Sequence, residues 1–161
     1  MLFLTTLTSC GFSPQYGTIG DSGAAQFDDV DVGSIPDRYG QILRNKLTHV
    51  LGEKRGHSRP LLFDVDLQVN FREIGYEKNL NTSRSEVMIL ANYQLKDRQG
   101  IQPPQKGMCR TSEYFSMSKE QIFQNVTSEK NAPMRGIETI SRCLIDRLSI
   151  LLKRIKPQEK Q

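Results

Sequence analysis

The residues of this chain able to do chemistry fall in a few short clusters. Gly20-Asp21-Ser22-Gly23 spells the surroundings of a serine-protease nucleophile, but activating that hydroxyl takes a histidine base and an orienting acid held in a large preformed scaffold. Only His49 and His57 follow, and the tetrapeptide sits in a Gly- and Ser-rich stretch, so no catalysis is expected there. Asp64 and Asp66 share one face of a predicted strand, where paired carboxylates can move protons or hold a hard cation; ordinary alternation makes a solvated strand face the simpler reading. His49 falls beside an apolar helical stripe and His57 in a basic turn. No cysteine or second histidine stands at zinc-ligand spacing, and no metal is expected. Glycines form no phosphate cradle, and aromatics do not interleave with basic residues as a nucleic-acid platform requires. No enzyme signature survives, and nucleic acid is not an expected partner.

The thiols are more informative. Leu7-Thr8-Ser9-Cys10 matches a lipobox: a leucine, two small residues, then a cysteine whose sulfur takes a diacylglycerol and whose amine becomes the new N-terminus. Small side chains are needed before the cut, and the thiol is the nucleophile that carries the lipid. One acyl chain binds a bilayer marginally, whereas two or three anchor it lastingly. A secretory leader normally has a basic start and roughly 7 to 15 apolar residues. Residues 1–9 show neither, so either coding begins upstream of Met1 or Cys10 is an ordinary thiol. Cys109 and Cys143 can bridge a strand to a helix in an oxidising compartment, or remain two separate buried thiols; spacing does not decide between them.

These residues must be positioned by the elements around them. Residues 10–26 are rich in Gly, Ser, Asp and Gln and read as a tether, with Phe27, Val30 and Val32 forming a short first strand near its end. Tyr39, Ile42, Leu43, Leu47, Val50 and Leu51 recur at spacings of three and four, giving a helix that starts at Pro36-Asp37 and stops at Gly52. Leu61, Phe63, Val65, Leu67, Val69 and Phe71 alternate with polar residues as a strand with one buried face. Val87, Ile89, Ala91, Tyr93 and Leu95 alternate again, and residues 107–115 make a weaker third partner. Asn131 can cap a second helix, with Pro133 in its first turn and Ile137, Ile140, Leu144, Leu148, Leu151 and Ile155 in one stripe. The order β-α-β-β-β-α predicts an α+β two-layer sandwich: a four-stranded mixed or antiparallel sheet with two helices packed on it, in one domain over 27–156, followed by a polar tail at 157–161. A meander would put the 72–84 and 116–131 loops at one end, with Arg72, Lys78, Arg84, Lys119 and Lys130. The other end would carry Lys54, Arg55, Arg59, Arg98 and Lys106, and charge alone does not choose between them.

Composition sets the bounds on these readings. The chain has 161 residues, 37% hydrophobic and 25% charged, in the range of one folded domain rather than a disordered chain. Twenty-two Lys and Arg against 18 Asp and Glu leave a net charge of +4, a mild preference for anionic surfaces. Three cysteines are too few for a disulfide scaffold.

Several separate segments then line up with one family. Cys10-Gly11-Phe12-Ser13-Pro14-Gln15-Tyr16-Gly17 resembles the C-G-F-x-P-x-Y-G start of mature LptE-type LPS-assembly lipoproteins, particularly their alphaproteobacterial branch. Arg38-Tyr39-Gly40-Gln41-Ile42-Leu43-Arg44-Asn45-Lys46-Leu47 is similar to that family's R-x-G-Q-x-L-R-N-x-L. Ser83-Arg84-Ser85-Glu86-Val87, Ala91-Asn92-Tyr93-Gln94-Leu95 and the closing helix are also similar. The resemblance spans residues 10 to 155, and its first two segments are the specific ones. It implies four strands with two helices, residues 1–9 as the remnant of a lipoprotein signal peptide, and an N-acyl diacylglycerol on Cys10 with no other cofactor. It implies an outer-membrane lipoprotein on the periplasmic face that plugs an LptD-type β-barrel, helps assemble it and binds lipopolysaccharide during export. For that ligand, Arg84 and Lys130 are the expected contacts, because both fall in loops expected at one sheet end. The alternative that the residues themselves leave open is a small soluble or periplasmic α/β binding or scaffold protein without a lipid anchor.

Overall fold

The structure is a computed structural model that describes residues 27, 29–52, 61–76, 82–118 and 122–155. The elements are β1 (Val30–Val32), α1 (Asp37–Leu51), β2 (Leu61–Tyr76), β3 (Thr82–Asp97), β4 (Gln105–Ser118) and α2 (Ile122–Ile155). The strands lie side by side in chain order. β1 pairs parallel to β2, while β2 with β3 and β3 with β4 are antiparallel, so the expected α+β sandwich carries a mixed sheet.

Pairing and alternation fix which residues look inward. Register places Phe63 beside Leu95, Val65 beside Tyr93, and Ala91 beside Cys109 on the helix side. Phe63 and Tyr93 also meet ring to ring, with centroids 5.6 Å apart. Over them α2 lays Ile137, Ile140, Leu144, Leu148 and Leu152, all fully buried, and α1 adds Leu43, Leu47 and Leu51. Each such side chain contributes about 1.5–3 kcal/mol through removal from water. Gly136 lets α2 descend onto β3: a Cβ there would stand 2.5 Å from Ile89 Cδ1. Cys109 of β4 and Cys143 of α2 are joined as a disulfide, which ties the two layers together.

Three expectations need correction. α2 begins at Ile122, not at Asn131, so Pro133 lies inside the helix and the connection from β4 shrinks to residues 119–121. Polar residues and a proline read as a loop, yet Ile122, Phe123 and Val126 already carry helical spacing, and the ring of Pro133 is buried. Likewise β2 runs on to Tyr76 and β3 starts at Thr82, so much of the expected 72–84 loop is strand. Finally, the stripes are not buried along their whole length. Val50 is 43% exposed because its neighbour Leu51 takes the inward position, and Phe71 is 51% exposed because α2 lies over β3 and β4 while α1 packs on β1 and α2.

Candidate functional site on the uncovered sheet face

Both helices pack on one side of the sheet, so among the described residues its other side is uncovered. Alternation sends the even-numbered residues of β2, β3 and β4 to that side. Asp64, Asp66 and Arg72 come from β2. Arg84, Glu86, Met88 and Lys96 come from β3, and Lys106, Met108, Arg110, Ser112 and Tyr114 from β4.

The charges on this face are sorted by position. At the end nearest β1, Lys96 donates to Asp64 Oδ2 at 2.6 Å and Gln68 Nε2 to Asp66 Oδ2 at 3.3 Å, so the two carboxylates are engaged as strand-surface groups. Among the described residues no cluster of three or more His, Cys, Asp or Glu is placed to hold a metal ion.

At the opposite end Arg72, opposite Glu86 in the register, donates to Glu86 Oε2 at 2.6 Å from Nη2 and 3.1 Å from Nε. Glu86 is only 5% exposed. A hydrogen bond from the Ser112 side chain, then the Arg72 guanidinium, hold its carboxyl below the ordinary value of 4.5. Arg84 lies over the ring of Tyr114, its guanidinium carbon 5.1 Å from the centroid, which fixes a long cation in place without neutralising it. Among the described residues neither Arg84 nor Arg110 has a carboxylate partner, and both are exposed. The exposed Met88 and Met108 lie on the same face. Arg110, opposite Leu90, lies between the rows of Met88 and Met108, while Arg84 lies six residues farther along β3 on the same face. An uncompensated guanidinium flanked by exposed thioethers can take an anionic group with an apolar continuation, and Arg matches phosphate geometry in particular.

The expected pair Arg84 and Lys130 is not brought together. Neither is in a loop: Arg84 is in β3 opposite Ser116, and Lys130 is exposed on α2, in the other layer. Cys10, Lys54, Arg55, His57, Arg59, Lys78 and Lys119 lie outside the described residues, as do residues 1–26 and 156–161. Glu86, Arg110 and Tyr114 were not singled out from the sequence for their chemistry, and Arg72 was named only among the basic residues of one sheet end. Their one signal is even numbering within three strands, and the register sets Arg72, Glu86 and Tyr114 in one row, with Arg110 farther along the face.

A second hollow of about 780 Å³ lies between the helices, lined by residues that include Lys46, His49, Val50, Arg142 and Ile145. Glu138 crosses it, accepting hydrogen bonds from Lys46 at 2.5 Å and Arg142 at 3.3 Å. Lys46 is the main cause holding the Glu138 carboxyl low.

No family model matches this chain. No curated protein matches it either. Solved structures do. The fold is similar to that of a candidate lipoprotein from Caulobacter crescentus, at a TM-score of 0.57 and 20% identity, covering 81% of this chain and 95% of that one. It is also similar to rare lipoprotein B from Shewanella oneidensis, at a TM-score of 0.52 and 6% identity, covering 82% and 98%. At such identities the likeness is one of fold.

Proposed function

We propose that this chain is a lipoprotein of the LptE type, anchored through acylated Cys10 to the periplasmic face of the outer membrane, where it plugs an LptD-type β-barrel, assists the barrel's assembly and binds lipopolysaccharide in transit. The observation that carries this reading is the fold likeness to proteins described as lipoproteins over nearly their whole length. The lipobox and the two quoted sequence segments point the same way.

The physics of the role suits these residues. A plug must be small and rigid, and the disulfide between β4 and α2 stiffens a two-layer body. An acyl leash raises its local concentration beside its barrel. The unpaired Arg84 and Arg110 suit the phosphates of lipid A, with Met88 and Met108 on either side of Arg110 for apolar parts of the same molecule.

Cys10→Ala tests the anchor. The variant is expected to move from the membrane fraction to the soluble fraction; unchanged fractionation rejects acylation. Affinity purification of the intact lipoprotein is expected to bring down a large outer-membrane barrel, and its absence from the eluate leaves only the fold.

A further inference from the structure

The outer edge of β2 carries a feature that the proposed function does not use. β1 pairs with β2 only from Leu61 to Phe63, and among the described residues no strand lies beside β2 beyond that point. Leu61 donates its N–H to the Asp29 carbonyl and Phe63 accepts from Gly33 N, so the odd residues of β2 turn their backbone groups to this edge. By alternation Leu67, Val69 and Phe71 present N–H and C=O groups there. The open stretch has limits at both ends. Ser34 stands beside Asp64, Val65 and Asp66, and the pairing register shifts at a bulge between Glu73 and Gly75.

The residues between these limits form the sequence Asp66-Leu67-Gln68-Val69-Asn70-Phe71-Arg72. Read against its own reverse, it is complementary about Val69. Asp66 faces Arg72, Leu67 faces Phe71, Gln68 faces Asn70, and Val69 faces itself. The parity is also right: the facing odd residues are those whose backbone groups point outward, so each of those facing pairs exchanges two hydrogen bonds. Phe71, 51% exposed, leaves an uncovered apolar patch on the helix side of this edge. Flat edges of this kind are normally blunted by lysine, proline or bulges, and residues 66–72 contain none of these.

We infer that the partner of this edge is a second copy of the same chain, joined as a twofold dimer through antiparallel pairing of residues 66–72 with Val69 on the axis. Self-complementarity is what an isologous interface demands, and charge complementarity favours this register because Asp66 of each copy meets Arg72 of the other, where the half of the guanidinium not bound to Glu86 still has donors to give. In this register residues beyond Glu73 run toward the other copy's β1, so the dimer requires β2 to turn aside at the bulge, where the register with β3 already shifts. Leu67 and Phe71 cover each other across the axis on the helix side.

Sedimentation velocity on the full chain across a concentration series tests the inference, with Asp66→Arg and Val69→Cys as variants. The parent chain is expected to show a monomer–dimer equilibrium. Asp66→Arg, which sets like charges opposite one another twice by symmetry, is expected to weaken the dimer about tenfold or more with an unchanged circular dichroism spectrum. Val69→Cys is expected to oxidise to a covalent dimer joined at residue 69, as mapped by peptide mass, because hydrogen-bonded facing residues have Cα atoms about 5.5 Å apart, within disulfide range. A chain that stays monomeric at every concentration overturns the inference. So does a dimer that Asp66→Arg leaves intact, or one that Val69→Cys fails to link at that position.

Discussion

Glu86 shows how much one residue can depend on its register partners. Nearly buried on an otherwise wet face, it is held charged by the Ser112 side chain and the Arg72 guanidinium, which keep its carboxyl below 4.5. A carboxyl depressed in the folded state adds stability that is fully present above its unfolded value and is lost as pH falls through the folded one. The urea midpoint is therefore expected to drop as pH is lowered below about 4.5, the region where unfolded carboxyls titrate. Glu86→Gln should flatten that drop without abolishing it, since Glu138 is lowered in the same direction by Lys46. A midpoint with equal pH slope in both proteins argues against this role for Glu86. Gly40 is the second instructive residue. A Cβ there would stand 2.7 Å from Ile35 Cγ2 and 2.9 Å from the Ile35 carbonyl oxygen, which belongs to the backbone and yields poorly. Alanine gains about 1 kcal/mol of helix propensity but meets an overpacking cost of about 1–3 kcal/mol, so thermal unfolding of Gly40→Ala is expected to show a net loss of about 1 kcal/mol.

Among the elements, α2 does most of the work of closing the core, and Cys143 ties it to β4 across 34 residues of chain. Cross-linking a loop of that length restricts the unfolded state by about 3–4 kcal/mol on the chain-entropy account. Paired Cys109→Ser and Cys143→Ser changes are expected to lower the unfolding free energy by about that amount, read from urea titration; an unchanged midpoint would mean that the layers hold without the bridge. The elements themselves were largely legible. α1 spans Asp37–Leu51 as its stripe requires, and the alternation of β2 and β3 is plain in the chain. What was not legible follows from context. Residues 122–131 are polar enough to read as a loop despite the helical spacing of Ile122, Phe123 and Val126, and the segment runs unbroken into the buried Ala132, Pro133 and Gly136, the last of them against Ile89 of β3. Alternation showed that β2 has an apolar face but not that its upper part would lie beyond the reach of both helices, because that depends on where α1 and α2 settle.

For the molecule as a whole, the one-sided layering is what makes a site: two helices on one face leave the other free, and register then gathers Arg72, Arg84 and Tyr114 from three strands, with Arg110 farther along the same face. The positive charge was legible in the sequence, but its sorting was not, since Arg84 and Lys130 are near in expected topology and end on opposite layers. That separation changes what a test of lipopolysaccharide binding should show. Groups well separated, along one face or on separate layers, contribute independently. Arg84→Ala is expected to weaken capture of lipopolysaccharide in a pull-down, Arg84→Ala with Arg110→Ala to weaken it further, and Lys130→Ala to add only an independent, smaller loss. None of these exposed changes should alter the circular dichroism spectrum, and added salt should reduce binding by the parent chain more than by the arginine variants, because the contacts being screened are those the variants lack. Equal capture by the parent and the Arg84→Ala, Arg110→Ala protein would remove the uncovered face from the binding site and leave Lys130 on the helix layer as the contact to pursue.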